Sequence, residues 1–225
     1  MEKGYKNLGY FFLILIIFVF LGFYKTYFGL APAFNAATTP VVHFHAIVLF
    51  IWVCIIITQP LLIRYRKYKI HRLIGKTTYV IVPLMILTFL LMWQRNFKHQ
   101  EGENIYAEYL RTIWHEHFHS LCDILLLITF YSLAIYNRHR VKWHMRYMIA
   151  TTLILIDPTL SRILSSLLHF SDFNADLATS LFTDLIIVGL ILYDKMHNRK
   201  YKPYVFALSL FMVYHIAFVV RSFYI

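Results

Sequence analysis

Seven apolar runs, each about as long as a membrane is thick, dominate this chain. A helix rises about 1.5 Å per residue, so about 20 apolar residues cross the hydrocarbon core of a bilayer. With 60% apolar residues, the composition excludes a soluble domain. The sequence therefore predicts an all-α, polytopic membrane bundle of about seven transmembrane helices in a single domain, residues 1–225. The runs occupy residues 8–24, 41–63, 74–94, 115–136, 145–168, 177–194 and 203–223.

Positive charge is concentrated in the segments that would lie on one side of the membrane. The distribution of the net charge of +11 follows the positive-inside rule, so the charge needs no acidic partner. We therefore predict an N-in, C-out topology in a lipid bilayer and no nucleic-acid partner. The cationic residues on the predicted inner side are Lys3, Lys6, Arg64, Arg66, Lys67, Lys69, Arg72, Lys76, Arg138, Arg140, Lys142, Arg146, Lys195, Arg199, Lys200 and Lys202.

The first apolar run is followed by Ala31-Pro32-Ala33, which has the small residues of a signal-peptide cleavage site. The run is longer than a usual signal-peptide core, and Lys25 separates it from the candidate site. We therefore expect the first run to be a retained transmembrane helix.

The fourth run opens with the sequence WHEHFH at residues 114–119. On a helix, His115, His119 and Asp123 follow one another at intervals of four residues and share one face. His117 points to the other side, where we expect it to reach lipid headgroups or water. Ionisable groups inside a membrane helix are costly and usually mark functional sites. Replacement of His119 is therefore expected to matter more than replacement of His117.

Histidines sort into two depths, which predicts sites for b-type haem. A haem in a helical bundle takes one histidine from each of two facing helices, and two stacked haems need one pair near each membrane face. The second and fourth runs supply an outer pair, and the third and fifth runs supply an inner pair. The predicted haem ligands are His45 and His119 on the outer side, and His71 and His144 on the inner side.

Two arginines accompany the inner histidines. Arg72 and Arg146 lie close to them in sequence, where guanidinium groups suit haem propionates. This placement resembles the transmembrane diheme cytochromes b of the ascorbate-reducible and ferric-reductase type, in which helix pairs 2/4 and 3/5 hold the haems. The resemblance implies transmembrane electron transfer as a redox protein, with a redox partner or a quinone.

The same histidine-rich stretch also fits an outward-facing zinc-dependent membrane hydrolase. Residues 115–119 satisfy the pattern H-E-x-x-H, in which His115 and His119 would bind zinc or another transition metal and Glu116 would activate water. Seven helices with intramembrane His and Asp also resemble, loosely, the alkaline-ceramidase and adiponectin-receptor superfamily. A third protein ligand would complete the catalytic site, and the candidates are His45, Asp184 and His215.

A closer resemblance covers most of the predicted helices 2 to 5. It is to the uncharacterised bacterial multi-span membrane proteins that have an H-R-x-x-G motif and an H-x-R-x-M segment. It implies a multi-pass protein of the bacterial inner membrane and carries over no activity. The matching residues are His45, Gln59-Pro60, residues 71–75 (HRLIG), residues 144–148 (HMRYM), Asp157-Pro158 and Arg162.

Arg162 and Asp184 fall at similar depth in the fifth and sixth runs, which predicts an intramembrane ion pair. A third functional hypothesis is that the Asp and His residues relay protons in a proton-coupled transporter, or that the protein is a non-catalytic membrane subunit. Of the three hypotheses, the histidine pairs at two depths favour haem binding and transmembrane electron transfer, with the hydrolase and the transporter or subunit as alternatives. The sequence leaves open whether the protein is an enzyme, and its oligomeric state.

A reporter that is active only in the periplasm tests the predicted topology. Fused after Ile225 it should be active, and fused after Lys202 it should be inactive, because the last apolar run places these two residues on opposite sides of the membrane. Reporter activity in intact cells is the measurement. The reverse pattern would invert the predicted orientation.

Overall fold

The structure, a computed structural model, defines residues 3–35, 38–97, 114 and 117–223. Every regular element within these residues is a helix, so the predicted all-α class is confirmed. The chain divides into two compact units, Met1–His117 (unit 1) and Phe118–Ile225 (unit 2). Each unit is described by itself below, and the single domain predicted from the sequence stays a prediction.

Unit 1 is built on a hairpin of two long helices, α3 (Pro40–Arg64) and α4 (Tyr68–Phe97). A proline at the start of α3 suits a position where no backbone N–H has a helical partner. His45 on α3 lies with its Nδ1 atom 2.9 Å from the Thr88 hydroxyl on α4, and Thr88 is fully buried. A polar contact thus joins the two apolar helices.

Two short helices precede this hairpin, α1 (Leu8–Phe12) and α2 (Ile14–Gly22). Helix α1 lies directly against α3 at Gly9, where an added Cβ would stand 2.6 Å from the side chain of Leu61. Only a residue without a side chain permits this approach, so the glycine sets the distance between the two helices.

Unit 2 contains five helices, and consecutive spans run in opposite directions because their connections are short. The helices are α5 (Phe118–Tyr136), α6 (Val141–Leu153), α7 (Ile156–Leu168), α8 (Asp172–Met196) and α9 (Lys202–Ser222).

Helices α6 and α7 form one interrupted span, with the break at Ile154 and Leu155. Pro158 has no N–H to donate to the carbonyl of Ile154, so the helical hydrogen bond across the break is missing. As a result, Asp157 lies in the first turn of α7, deep within the span.

Six helical segments of the described chain are long and apolar enough to cross a membrane, which is the composition of a multi-pass membrane protein. The first apolar run forms only the shorter segment Leu8–Gly22, interrupted between α1 and α2. A seventh span therefore stays a prediction. The six segments are Pro40–Arg64, Tyr68–Gln94, Phe118–Tyr136, Val141–Leu168, Asp172–Met196 and Lys202–Ser222.

The two ends of unit 2 differ in charge. Helices α5 and α8 begin at one end of the unit, and α7 and α9 finish there. We call this end the acidic end, because Asp172 and Asp176 lie there. Helices α6 and α9 begin at the opposite end, and α5 and α8 finish there; we call it the basic end. The cations at the basic end include Arg138, Arg140, Lys142, Lys195, Arg199, Lys200 and Lys202.

A buried ion pair holds three helices together near the basic end. The Nε atom of Arg146 on α6 donates to Asp194 Oδ2 on α8 at 2.7 Å, and both side chains are fully buried. The same guanidinium lies 5.7 Å from the ring centre of Tyr204 on α9 and donates to the Lys142 carbonyl. Removing one partner of such a pair leaves a buried charge, which typically costs about 3–5 kcal/mol.

Candidate functional site

Ionisable side chains from four helices of unit 2 gather in the half of the unit toward the acidic end. Each belongs to an otherwise apolar helix, where a charge is tolerated only beside other polar groups. We call this group the His–Asp cluster. Its members are His119 and Asp123 on α5, Asp157 and Arg162 on α7, Asp176 and Asp184 on α8, and Tyr214, His215 and Arg221 on α9.

The deeper part of the cluster is organised by His215. Its Nδ1 atom lies 3.0 Å from Asp184 Oδ2, and its Nε2 atom lies 3.7 Å from Asp157 Oδ2. The imidazole is 7% exposed, and the carboxylates are 11% and 22% exposed. Thr183 donates a hydrogen bond to the other oxygen of Asp157 at 3.0 Å.

This arrangement is suited to hold an extra proton. A neutral imidazole has one N–H and one lone pair, so it can satisfy a carboxylate at only one ring nitrogen. His215 faces an aspartate at each ring nitrogen, within hydrogen-bond distance of Asp184 and beyond that distance from Asp157. The group of His215, Asp157 and Asp184 is therefore a candidate proton-binding site inside the membrane-spanning part of unit 2.

The shallower part of the cluster is organised by His119 in the first turn of α5. Its Nδ1 atom lies 2.7 Å from the Tyr214 hydroxyl, and its Nε2 atom lies 3.4 Å from Asp176 Oδ2. The side chains of His119 and Asp176 are 34% and 25% exposed. Ser161 donates to the second oxygen of Asp176 at 2.5 Å. Exposure therefore falls from the shallower to the deeper histidine.

Helix α9 connects the two parts of the cluster. Tyr214 and His215 are neighbours in sequence, so their side chains leave the helix about 100° apart and face different partners. Tyr214 reaches His119 on α5, whereas His215 reaches α7 and α8. The two rings remain close, with centres 4.9 Å apart. Polar groups thus follow one another from the acidic end to mid-span.

The cluster contains more acids than permanent cations. Its carboxylates are those of Asp123, Asp157, Asp176 and Asp184, against the guanidinium groups of Arg162 and Arg221, so four negative charges meet two positive ones. In a medium of low polarity a net charge of this size is costly unless protons or further cations compensate it.

Asp123 is another buried acid of the cluster. Its side chain is buried, and its Oδ1 atom receives no hydrogen bond from the described residues. The nearby charges of Asp157 and His215 act on it in opposite directions. A protonated Asp123 would remove the buried charge.

The predicted haem ligands occupy three different settings. Gln59 donates to the carbonyl of His71, in the first turn of α4, and Arg72 is exposed. The Nδ1 atom of His144 lies 2.8 Å from the Ala134 carbonyl, which fixes the proton on Nδ1, as in many metal-binding histidines. His45 faces Thr88 as described above. Each predicted pair takes one histidine from each unit, so both pairings stay predictions.

Two other residues of the haem hypothesis are already engaged in unit 2. Both ring nitrogens of His119 face polar partners, so ligation of iron would have to displace Tyr214 or Asp176. Arg146 is bound to the buried Asp194. The roles of these two residues in a haem site stay predictions.

The H-E-x-x-H hypothesis involves residues that the structure covers only in part. His115 and Glu116 lie outside the described residues. Helix α5 begins at Phe118, three residues later than predicted, and His117 is buried and stacks on Trp93 with ring centres 5.6 Å apart. The expectation that His117 reaches headgroups or water is wrong. No group of three metal-binding side chains is arranged around one point within the described residues.

Sequence reasoning missed several partners in the cluster. Asp184 contacts His215. Arg162, its predicted partner, donates a hydrogen bond to the Pro158 carbonyl. The ion pair of Arg162 with Asp184 stays a prediction. Asp176 and Tyr214 were not anticipated as site residues. The spacing of Asp176 and Asp184 by eight residues, two helical turns, is the signal that could have shown a shared face.

Comparison of the chain with protein-family models, curated proteins and solved structures yields no match. The class of protein is therefore defined by its own structure. It is a helical, multi-pass membrane protein with a partly buried His–Asp cluster in its second unit.

Replacement of His215 tests the electrostatic account of the site. In a His215→Leu variant, Asp157 and Asp184 lose the imidazole between them. Their negative charges then remain uncompensated unless the carboxylates take up protons. We expect the variant to lose about 3–5 kcal/mol of stability at about pH 8 and clearly less at about pH 5, because protons are then more available.

Thermal unfolding in detergent, followed by circular dichroism, measures this loss. A His139→Leu variant is the matched control, because His139 is exposed in the connection between α5 and α6. Destabilisation of the His215 variant that does not depend on pH would contradict a charge-compensating role.

Proposed function

We propose that this protein moves protons as part of proton-coupled membrane transport, with the His–Asp cluster as its proton pathway. The observation that carries the proposal is His215, which faces a carboxylate at each of its ring nitrogens within a membrane-spanning unit. Histidine exchanges protons near neutral pH, and the acids beside it offer alternative places for the same proton.

The pathway that we propose begins at the acidic end. Asp176 and His119 are partly exposed and accept a proton from water. The Tyr214 hydroxyl, hydrogen-bonded to His119, would receive this proton and give up its own toward the group around His215, whose ring centre lies 4.9 Å from that of Tyr214. The proton then resides between His215, Asp157 and Asp184.

The proposed topology gives this pathway a direction. With the N-terminus inside and seven spans, the C-terminal end of α9 and the whole acidic end face the outside. In a bacterial inner membrane the outside is the proton-rich side, so the cluster would load protons from there. The positive charge at the basic end supports this orientation, since cytoplasmic segments carry the excess of Lys and Arg.

Proton uptake by proteoliposomes tests this function. An interior-negative potential, set by a potassium gradient with valinomycin, should drive protons into vesicles that contain the protein, as reported by a pH-sensitive dye. Asp157→Asn and His215→Gln should lower the rate at least about tenfold, because neither replacement can hold the transferred proton.

The control for this experiment is Asp172→Asn at the exposed start of α8, which removes one acid from the acidic end but not from the cluster. Its rate should match that of the wild type. Rates that are equal in wild type, both cluster variants and empty vesicles would contradict the proposal.

A further inference from the structure

A recess of about 270 Å³ lies at the basic end of unit 2, on the opposite side from the acidic end. It is formed by the start of α6, the α8–α9 connection and the start of α9. Its lining combines three cations and two aromatic rings, namely Arg199, Lys200 and Lys202 with Trp143 and Tyr201.

The Arg199 side chain in this recess is held in a fixed position. The positive-inside rule alone does not explain such a fixed position. Orientation by the positive-inside rule depends on the number of Lys and Arg residues and not on their geometry. The Arg199 guanidinium lies 5.0 Å above the ring of Tyr193, and the Arg199 backbone N–H donates to the Asp194 carbonyl at 2.8 Å. Arg199 is therefore pre-positioned for a ligand.

The helix termini at the recess add to its positive potential. Both α6 and α9 begin there, and neither has an acidic residue in its first turn or a side-chain cap. The positive ends of both helix dipoles thus remain available to an anion. The nearest acid on α8, Asp194, is fully buried and bound to Arg146, so it does not neutralise the recess.

The aromatic residues and the position of the recess indicate the kind of anion. Trp143 and Tyr201 lie at the ends of membrane-spanning segments, where aromatic side chains contact the boundary between headgroups and acyl chains. A soluble anion would not need these rings. We propose that the recess binds the phosphodiester headgroup of an anionic membrane phospholipid, with Arg199, Lys200 and Lys202 on the phosphate and Trp143 on the adjoining glycerol and acyl chain.

Binding of lipid in the recess would stabilise the chain segment next to the buried ion pair of Arg146 and Asp194. The α8–α9 connection, residues 197–201, follows directly after α8, which carries Asp194. A headgroup bound to Arg199 and to Lys202 would join the middle of this connection to the first residue of α9. The lipid would therefore stabilise unit 2 independently of whether the His–Asp cluster moves protons.

Native mass spectrometry of the full chain in detergent, with added phosphatidylglycerol or phosphatidylcholine, tests the site. The wild type should retain phosphatidylglycerol in preference to phosphatidylcholine. A variant with R199Q, K200Q and K202Q should bind phosphatidylglycerol about 100-fold more weakly, since each cation near a membrane surface contributes about 1 kcal/mol.

The matched control removes three exposed cations from unit 1, with K67Q, K69Q and R72Q. It changes the net charge equally and should bind phosphatidylglycerol as the wild type does. A single Trp143→Ala variant, which keeps every charge, should weaken binding as well. Circular dichroism of each variant verifies that its helices are retained.

Three results would overturn the proposal. They are equal retention of both lipids by the wild type, equal loss of binding in the recess variant and the unit 1 control, and displacement of the lipid by an equal concentration of inorganic phosphate. The last result would assign the recess to a soluble anion.

Discussion

Four carboxylates among apolar helices are the constraint on which unit 2 depends. Water would stabilise their charges at a protein surface, but a membrane-spanning bundle must supply protons or cations instead. The bundle does so with two histidines that each contact groups on two other helices. Packing of the helices and protonation of the cluster are therefore linked, and this link is the basis of the proposed function in proton movement.

The break before Pro158 positions the deepest acid of this cluster. An uninterrupted helix would keep the backbone hydrogen bonds of residues 154–158, whereas the break starts a new helix with Asp157 in its first turn. A carboxylate near the N-terminus of a helix is favoured by the helix dipole. Asp157 thus gains support from its own helix, from Thr183 and from His215.

At the basic end of unit 2, buried charges are compensated by an ion pair instead of by protons. There the charges of Arg146 and Asp194 are fully buried and neutralise each other, so no proton is needed. The remaining cations are exposed or line the recess between α6 and α9. One end of the unit is thus suited to exchange protons, and the other end is fixed in structure and suited to contact lipid.

The helices could be predicted from the sequence, whereas the partners of the site residues could not. Apolar length and hydropathy are local properties, and they predicted the six described spans. The contact of His215 with Asp184 joins residues 31 positions apart, and its existence depends on which helices are neighbours. The start of α5 was placed too early because histidines continue the apolar run without a clear helix-start signal.

Infrared difference spectroscopy of the protein between about pH 5 and about pH 8 tests most directly whether the cluster exchanges protons near neutrality. The account predicts a band, either the carbonyl stretch of a protonated carboxylic acid or an imidazole ring mode, that changes with pH in the wild type and whose change is reduced in Asp157→Asn and Asp184→Asn. Asp172→Asn should leave the band unchanged. A wild-type band that does not change over this range, or a change that is not reduced in either cluster variant, would contradict the account.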